Sequence, residues 1–409
     1  MNEHIRKGRG VAVRRWISRI TAIVLFLSLS GCSGEKKEKT VKVSSEPLHF
    51  LEQGWRLACA ITNDEDDMAK AQEQVADVYI ELERPGRAAE LGKRIANWRS
   101  GVIMAEVASW FAERGGLKQA EKFVGLAEEV VSRTTGWQAD RLHMHITQVH
   151  AMLARQAEIA SAEKTYRGND TYAGRITAYE ALSLARLGNV SQAMKALDDL
   201  ESVSFFDVMV WRTKGYLLLS ESGKLDSDRR REALDKAEAS AKKVPGWKKW
   251  ELLAKAAVAR GRRFSRQEAE ERFSVIVQEI LESPLPGHIK APLLGRMLAD
   301  WSGLGACSKW SEIFNSAAEI IESNDLQNIE RPSAWALLAE ASAELGKREK
   351  AEEIYRKAAG LALKLHNPRP RALAGVDICV SLARSGFMSE AVKGDIERLI
   401  GSFDVKGSD

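Results

Sequence analysis

The only histidines close together in this chain of 409 residues are His143, His145 and His150, and such a cluster invites a metal-site reading. Helical geometry argues against it. Residues 143 and 145 would point about 200° apart, and residues 143 and 150, on one face, would stand roughly 10 Å apart along the axis. The acidic run Asp64, Glu65, Asp66, Asp67 could offer oxygens to a cation, but it lacks alternating ligand spacing and a turn glycine. It reads better as a solvated turn whose charge helps start the next helix. Four cysteines, widely separated, suit neither a disulfide framework nor a zinc site. Cys59, Cys307 and Cys379 are expected as small buried hydrophobes, although an oxidising compartment would permit one bridge. No phosphate-cradling loop, nucleophile elbow or zinc-protease helix is present. These residues predict no catalytic group, no cofactor and no metal, so the chain is expected not to be an enzyme.

The elements that must position any binding site begin after an unusual first stretch. Arg6, Lys7, Arg9, Arg14, Arg15 and Arg19 precede an apolar run from Ile20 to Leu29, too short for a membrane span and right for an export signal. The run ends in Leu29, Ser30, Gly31, Cys32, which resembles the lipobox of bacterial lipoproteins. The resemblance implies cleavage before Cys32, acylation of that cysteine and a protein tethered to a bilayer without spanning it. Ser33 in place of aspartate implies the outer membrane, with the body facing the periplasm; the cell membrane is the other candidate. Removing residues 1–31 turns a net charge of +4 into −1, so the basic balance is no sign of nucleic-acid binding. Residues 32–47 are polar and charged, a flexible tether.

From about residue 48 the chain predicts an all-α fold, with Ala, Leu, Glu, Lys and Arg at helical spacing between short Gly, Asn or Pro breaks. Trp335, Leu338, Ala339, Gly346, Ala351, Tyr355 and Ala358 form one unit of a repeat. Val107, Ala108, Phe111, Gly115, Ala120 and Ala127 form another, and Ala181, Leu184, Gly188, Ala193, Leu197 and Leu200 a third. A glycine five residues before an alanine recurs at Gly115, Gly188, Gly346 and Gly386. The pattern resembles the tetratricopeptide (TPR) repeat, and implies eight or nine antiparallel helix pairs stacked into a right-handed superhelical solenoid. Repeats are expected over 48–282 and 309–409. The proline-rich stretch 283–308, with Pro284, Pro286 and Pro292, is expected as an irregular connection.

In that family the first helix of each unit lines a concave groove. Carried over, this implies a ligand-binding wall of Arg155, Arg175, Arg186, Arg212, Tyr216, Lys248 and Lys255, with Glu251 among them. The segment 224–266 supports it in bulk, with fourteen Lys+Arg against six Asp+Glu. Such a wall favours an acidic peptide segment, a free C-terminal carboxylate or anionic envelope polymer. The expected function is a scaffold or assembly factor binding envelope proteins. The competing reading is a glycan or peptidoglycan binder that stacks sugars on Trp55, Trp98, Trp137, Trp247, Trp301 or Trp310; Trp211, Trp250 and Trp335 belong to the repeat core. Periplasmic lytic transglycosylases also carry helical superhelices, but repeats running almost to Asp409 leave no room for their catalytic domain.

Overall fold

A computed structural model describes residues 46–403, apart from positions 222, 224, 324 and 325. The expected signal peptide, Cys32 and nearly all of the tether lie outside the described residues. The described residues form nineteen α-helices and no strand. The even-numbered ones are α2 (Glu65–Glu81), α4 (Arg99–Glu113), α6 (Trp137–Met152), α8 (Asp170–Arg186), α10 (Phe206–Glu221), α12 (Lys248–Arg263), α14 (Gly287–Ser302), α16 (Arg331–Glu344) and α18 (Pro368–Ser385). Between them run α1 (Glu46–Cys59), α3 (Pro85–Gly92), α5 (Leu117–Ser132), α7 (Gln156–Thr165), α9 (Val190–Asp198), α11 (Ser227–Lys243), α13 (Arg266–Glu282), α15 (Trp310–Glu322) and α17 (Arg348–Leu363), with α19 (Glu390–Gly401) at the end.

Local chemistry sets these boundaries. Asp64, Asn169, Asp226, Ser265, Asn367 and Ser389 each cap a helix by accepting a bond from a backbone N–H of its first turn. Gly115, Gly188, Gly346 and Gly386 follow even-numbered helices with φ between +62° and +87°, the left-handed turn that glycine adopts at least cost. Small residues then let helices approach: a Cβ on Gly174 of α8 would stand 2.6 Å from the Val208 Cα of α10.

Each even-numbered helix packs on the even-numbered helices before and after it, and each odd-numbered helix from α1 to α17 sits in the notch between two even ones. Helices that touch neighbours of their own kind occupy the shorter circumference, so the even set is the inner wall. The series does not end in free edges. Helix α1 packs on α18 as the outer partner of the last inner helix, and α18 also packs on α2. At this seam Arg369 holds Asp67 (Nε–Oδ2 2.6 Å) and Asp64 (3.0 Å), Gln74 donates to Asp377 (2.8 Å), and Arg384 pairs with Glu81 (3.0 Å). A Cβ on Gly375 would stand 2.8 Å from Leu57. Nine helix pairs therefore close into a ring, with α19 laid over α17 and α1; the ends of the expected open solenoid meet instead. At about 9 Å between neighbouring axes the inner circle is roughly 26 Å across, leaving a lumen on the order of 15 Å before side chains enter it.

The irregular connection expected over 283–308 is corrected: most of it is the inner helix α14, which carries Pro292 inside it. Proline removes one backbone donor there, and the burial of Leu294, Met297, Leu298 and Trp301 outweighs that loss. Cys307 and Cys379 are buried thiols, whereas Cys59 is exposed, correcting its expected burial; all three are free.

Candidate ligand-binding wall

On each inner helix one stripe of side chains faces neither the neighbouring helices nor the outer layer. Glu113 of α4 shows where that stripe points. Crowding by surrounding protein raises its carboxyl although the side chain is still 40% exposed, and the charges it feels include Arg186 of α8 and Glu221 of α10, which come from inner helices not adjacent to its own. Side chains of non-neighbouring inner helices that feel one another in this way face the space the ring encloses.

The wall is polarised. From α8 to α12 it is basic. Arg175 donates Nε–H to the Tyr179 hydroxyl (2.7 Å), which itself bonds Gln148 of α6 (3.1 Å). Its guanidinium lies 4.8 Å from the centre of the Trp211 ring, and Lys214 Nζ lies 4.3 Å from the same ring. On α12, Lys248 and Lys255 share one carboxylate, Glu251, at 2.5 and 2.9 Å. Neither Arg175 nor Lys214 has a carboxylate partner among the described residues. Burial first, then Lys248 and Lys255, push the Lys214 ammonium down to about 8, with Arg175 adding to the effect and Glu251 opposing it; the local potential stays net positive.

From α16 round to α4 the wall is acidic and largely self-satisfied. Ser333 donates to Asp377 (2.6 Å), which also takes the Gln74 bond; Arg99 pairs with Glu73 (2.5 Å); His145 of α6 meets Glu106 (2.8 Å). Burial raises Asp77 well above the usual carboxylate range and pushes Glu340 up to about 8. Each keeps one buried oxygen without a hydrogen-bond partner.

The residues named from the sequence divide accordingly. Arg175, Arg186, Lys248, Glu251 and Lys255 stand on the inner wall, with Arg186 donating to the Met152 carbonyl (2.8 Å). Arg155 lies in the α6–α7 turn, paired with Glu121 of the outer layer (2.5 Å). Arg212 and Tyr216 are corrected: both are buried against the outer layer, Arg212 on the Leu197 carbonyl (3.0 Å) and Tyr216 on the Asp198 carboxylate (2.5 Å). Lys214 and Trp211 occupy the wall of α10 in their place. The bulk charge of 224–266 is also mostly spent in the outer layer, where Arg260 binds Asp235 and Glu238 and Lys236 binds Asp198.

The three clustered histidines turn to three different elements: His145 to Glu106 of α4, His143 to Tyr166 just past α7 (3.0 Å) and His150, buried, toward Glu128 of α5 (3.8 Å). No group that could hold a metal ion occurs among the described residues, and no helix among them is long and apolar enough to cross a membrane. Of the six tryptophans open to sugar stacking, Trp55, Trp98, Trp301 and Trp310 are buried, and only Trp137 and Trp247 are exposed.

No protein-family model matches the chain, and no curated protein matches it in sequence. Four solved chains match it in structure. One is described as a circular tandem repeat protein with novel repeat topology and enhanced subunit contact surfaces. The match covers 88% of this chain and 95% of that one, at 15% identity and a TM-score of 0.28, too slight to bear on fold or function. On its own contacts the chain is an all-α helical-repeat protein.

Proposed function

We propose that this protein is a membrane-tethered binding scaffold of the bacterial envelope, anchored through an acylated Cys32, and that the basic arc of its inner wall takes acidic segments of partner proteins. One observation carries the reading: Arg175, Lys214, Lys248 and Lys255 line adjacent inner helices, where Arg175 and Lys214 have no carboxylate partner among the described residues and Glu251 is divided between the two lysines of α12. A closed helical-repeat wall is stiff, so a ligand would meet charges already in place. The TPR-like reading of the repeat, the outer-membrane address and the absence of enzymatic activity belong to this same proposal. The test is co-purification from native membranes after mild crosslinking, comparing the wild-type chain with an Arg175→Glu, Arg186→Glu variant. A defined set of envelope proteins, lost in the variant and at high salt, supports the reading; partners indifferent to both would end it. Mass spectrometry of the mature amino terminus tests the anchor.

A glycan-binding ring is the second reading, kept by the exposure of Trp137 and Trp247. Recovery of cell-wall fragments in place of proteins would favour it.

A further inference from the structure

Four aromatic side chains among the described residues are exposed: Trp137 (58%), Phe205 (55%), Phe206 (46%) and Trp247 (41%). They do not scatter. Trp137 opens α6, Phe205 and Phe206 open α10, and Trp247 precedes α12. Each inner helix returns through an outer one, so the inner helices are parallel and their first turns share one rim. All four aromatics therefore stand at a single rim of the ring and crown its mouth, Phe205, Phe206 and Trp247 over the basic arc and Trp137 beside it, edge-on to Trp98. Arg175 stands in the second turn of α8 and Lys248 in the first of α12, just inside that mouth. Lys248 Nζ lies 5.0 Å from the Trp247 ring centre, so cation and crown are contiguous.

Exposed apolar side chains, with Lys248 sharing Glu251 beside them and Arg175 and Lys214 lacking a carboxylate partner further in, define what fits. A purely acidic chain would leave the aromatics in water, and a purely apolar one would leave the cations uncompensated. We infer that this mouth binds an extended peptide segment in which carboxylates alternate with aromatic or aliphatic side chains. This rests on the proposed scaffold function and narrows its partner. Extended backbone sends alternate side chains to opposite sides, which would set carboxylates on Arg175 and Lys214 and apolar groups on the crown. A bilayer is a poorer occupant. Helix α1 runs against the inner helices and starts at the opposite rim, so residue 46, where the described chain begins, stands on the side away from the crown.

The test is fluorescence anisotropy on the full chain carrying Cys32→Ser, with short synthetic peptides that are acidic only, apolar only, or acidic and apolar in alternation. The alternating peptide should bind at least about tenfold more tightly than the acidic one. Phe206→Ser with Trp247→Ser, both exposed and so tolerated by the fold, should erase that advantage. Arg175→Gln with Lys214→Gln should abolish what remains, with helical circular dichroism unchanged. Equal affinity for the acidic and alternating peptides, untouched by the aromatic substitutions, overturns the inference and leaves the basic arc standing. No binding of either acidic peptide, or binding indifferent to the cation substitutions, overturns both. Displacement of the alternating peptide by anionic phospholipid vesicles or by peptidoglycan fragments also overturns the inference, making the crown a membrane or glycan face.

Discussion

The acidic and basic arcs of the inner wall are built from the same kind of helical pair, yet they use charge in opposite ways. Around the seam, α18, α1 and α2 come from opposite ends of the chain, and polar side chains stitch them: Arg369 to Asp64 and Asp67, Arg384 to Glu81, Gln74 to Asp377. From α8 to α12 the neighbours are consecutive in sequence, and short turns hold them together. There the wall side chains are released from structural duty, and Arg175 and Lys214 rest on an aromatic ring in place of a carboxylate. The lesson is that charge on this closed ring is tied up in closure where the ends meet and is left unspent by the fold at Arg175 and Lys214, where the chain is continuous.

The largest way to break that contrast is to remove α1. Deleting residues 46–59 takes out the buried Phe50, Leu51 and Leu57, on the order of 5 kcal/mol of burial. Hydrogen exchange should then accelerate in α18 and α2 while α10 and α12 keep their protection; uniform loss would mean the arcs are not separable. Next, Arg384→Met removes the partner of a carboxylate at the seam and should cost about 3 kcal/mol in denaturant unfolding. Arg175→Met should change stability by no more than about 1 kcal/mol while weakening acidic-peptide binding at least tenfold.

A third difference is pH dependence. Glu340 and Asp77 hold protons more tightly in the folded chain than in the unfolded one, because burial raises both. The unfolded chain therefore binds fewer protons than the folded one between about 4.5 and 8, and stability falls as pH rises through that window. Glu340→Gln should flatten the fall, raising the melting temperature at pH 8 but not at pH 5. The smallest effect concerns α6, which stands between the arcs. Ala154 ends it at φ +56°, and Ala154→Gly should stabilise by about 0.5–1 kcal/mol, read by thermal melting.

Those turns also show what the sequence made legible. The Gly-to-Ala spacing of five marks the left-handed turn after α4, α8, α16 and α18, while Glu83 and Ala154 hold the same conformation without glycine, so their units show only the fainter apolar pattern. Counting back two residues from the turn gives charged residues in five of six cases, Glu81, Glu113, Arg186, Glu344 and Arg384, and the buried Met152 after α6. That offset could have found Glu81 and Arg384 at the seam but not Glu73, Asp77, Glu340 or Asp377. Helix α10 lacks this frame, and a slip of two residues turns a helix by about 200°. By that slip Arg212 reads as wall and Lys214 as core, the reverse of their places. Ring closure was invisible for a different reason: its contacts join residues some 300 positions apart, whereas periodicity reports only neighbours.

The most direct measurement places a photo-crosslinking residue at Leu217 in the basic arc or at Leu337 in the acidic arc of the full chain, in native membranes. The account predicts adducts with net-negative partner segments at 217 alone, abolished by Arg175→Glu. Equal labelling at both positions, or adducts at 217 that survive the charge reversal, would contradict it.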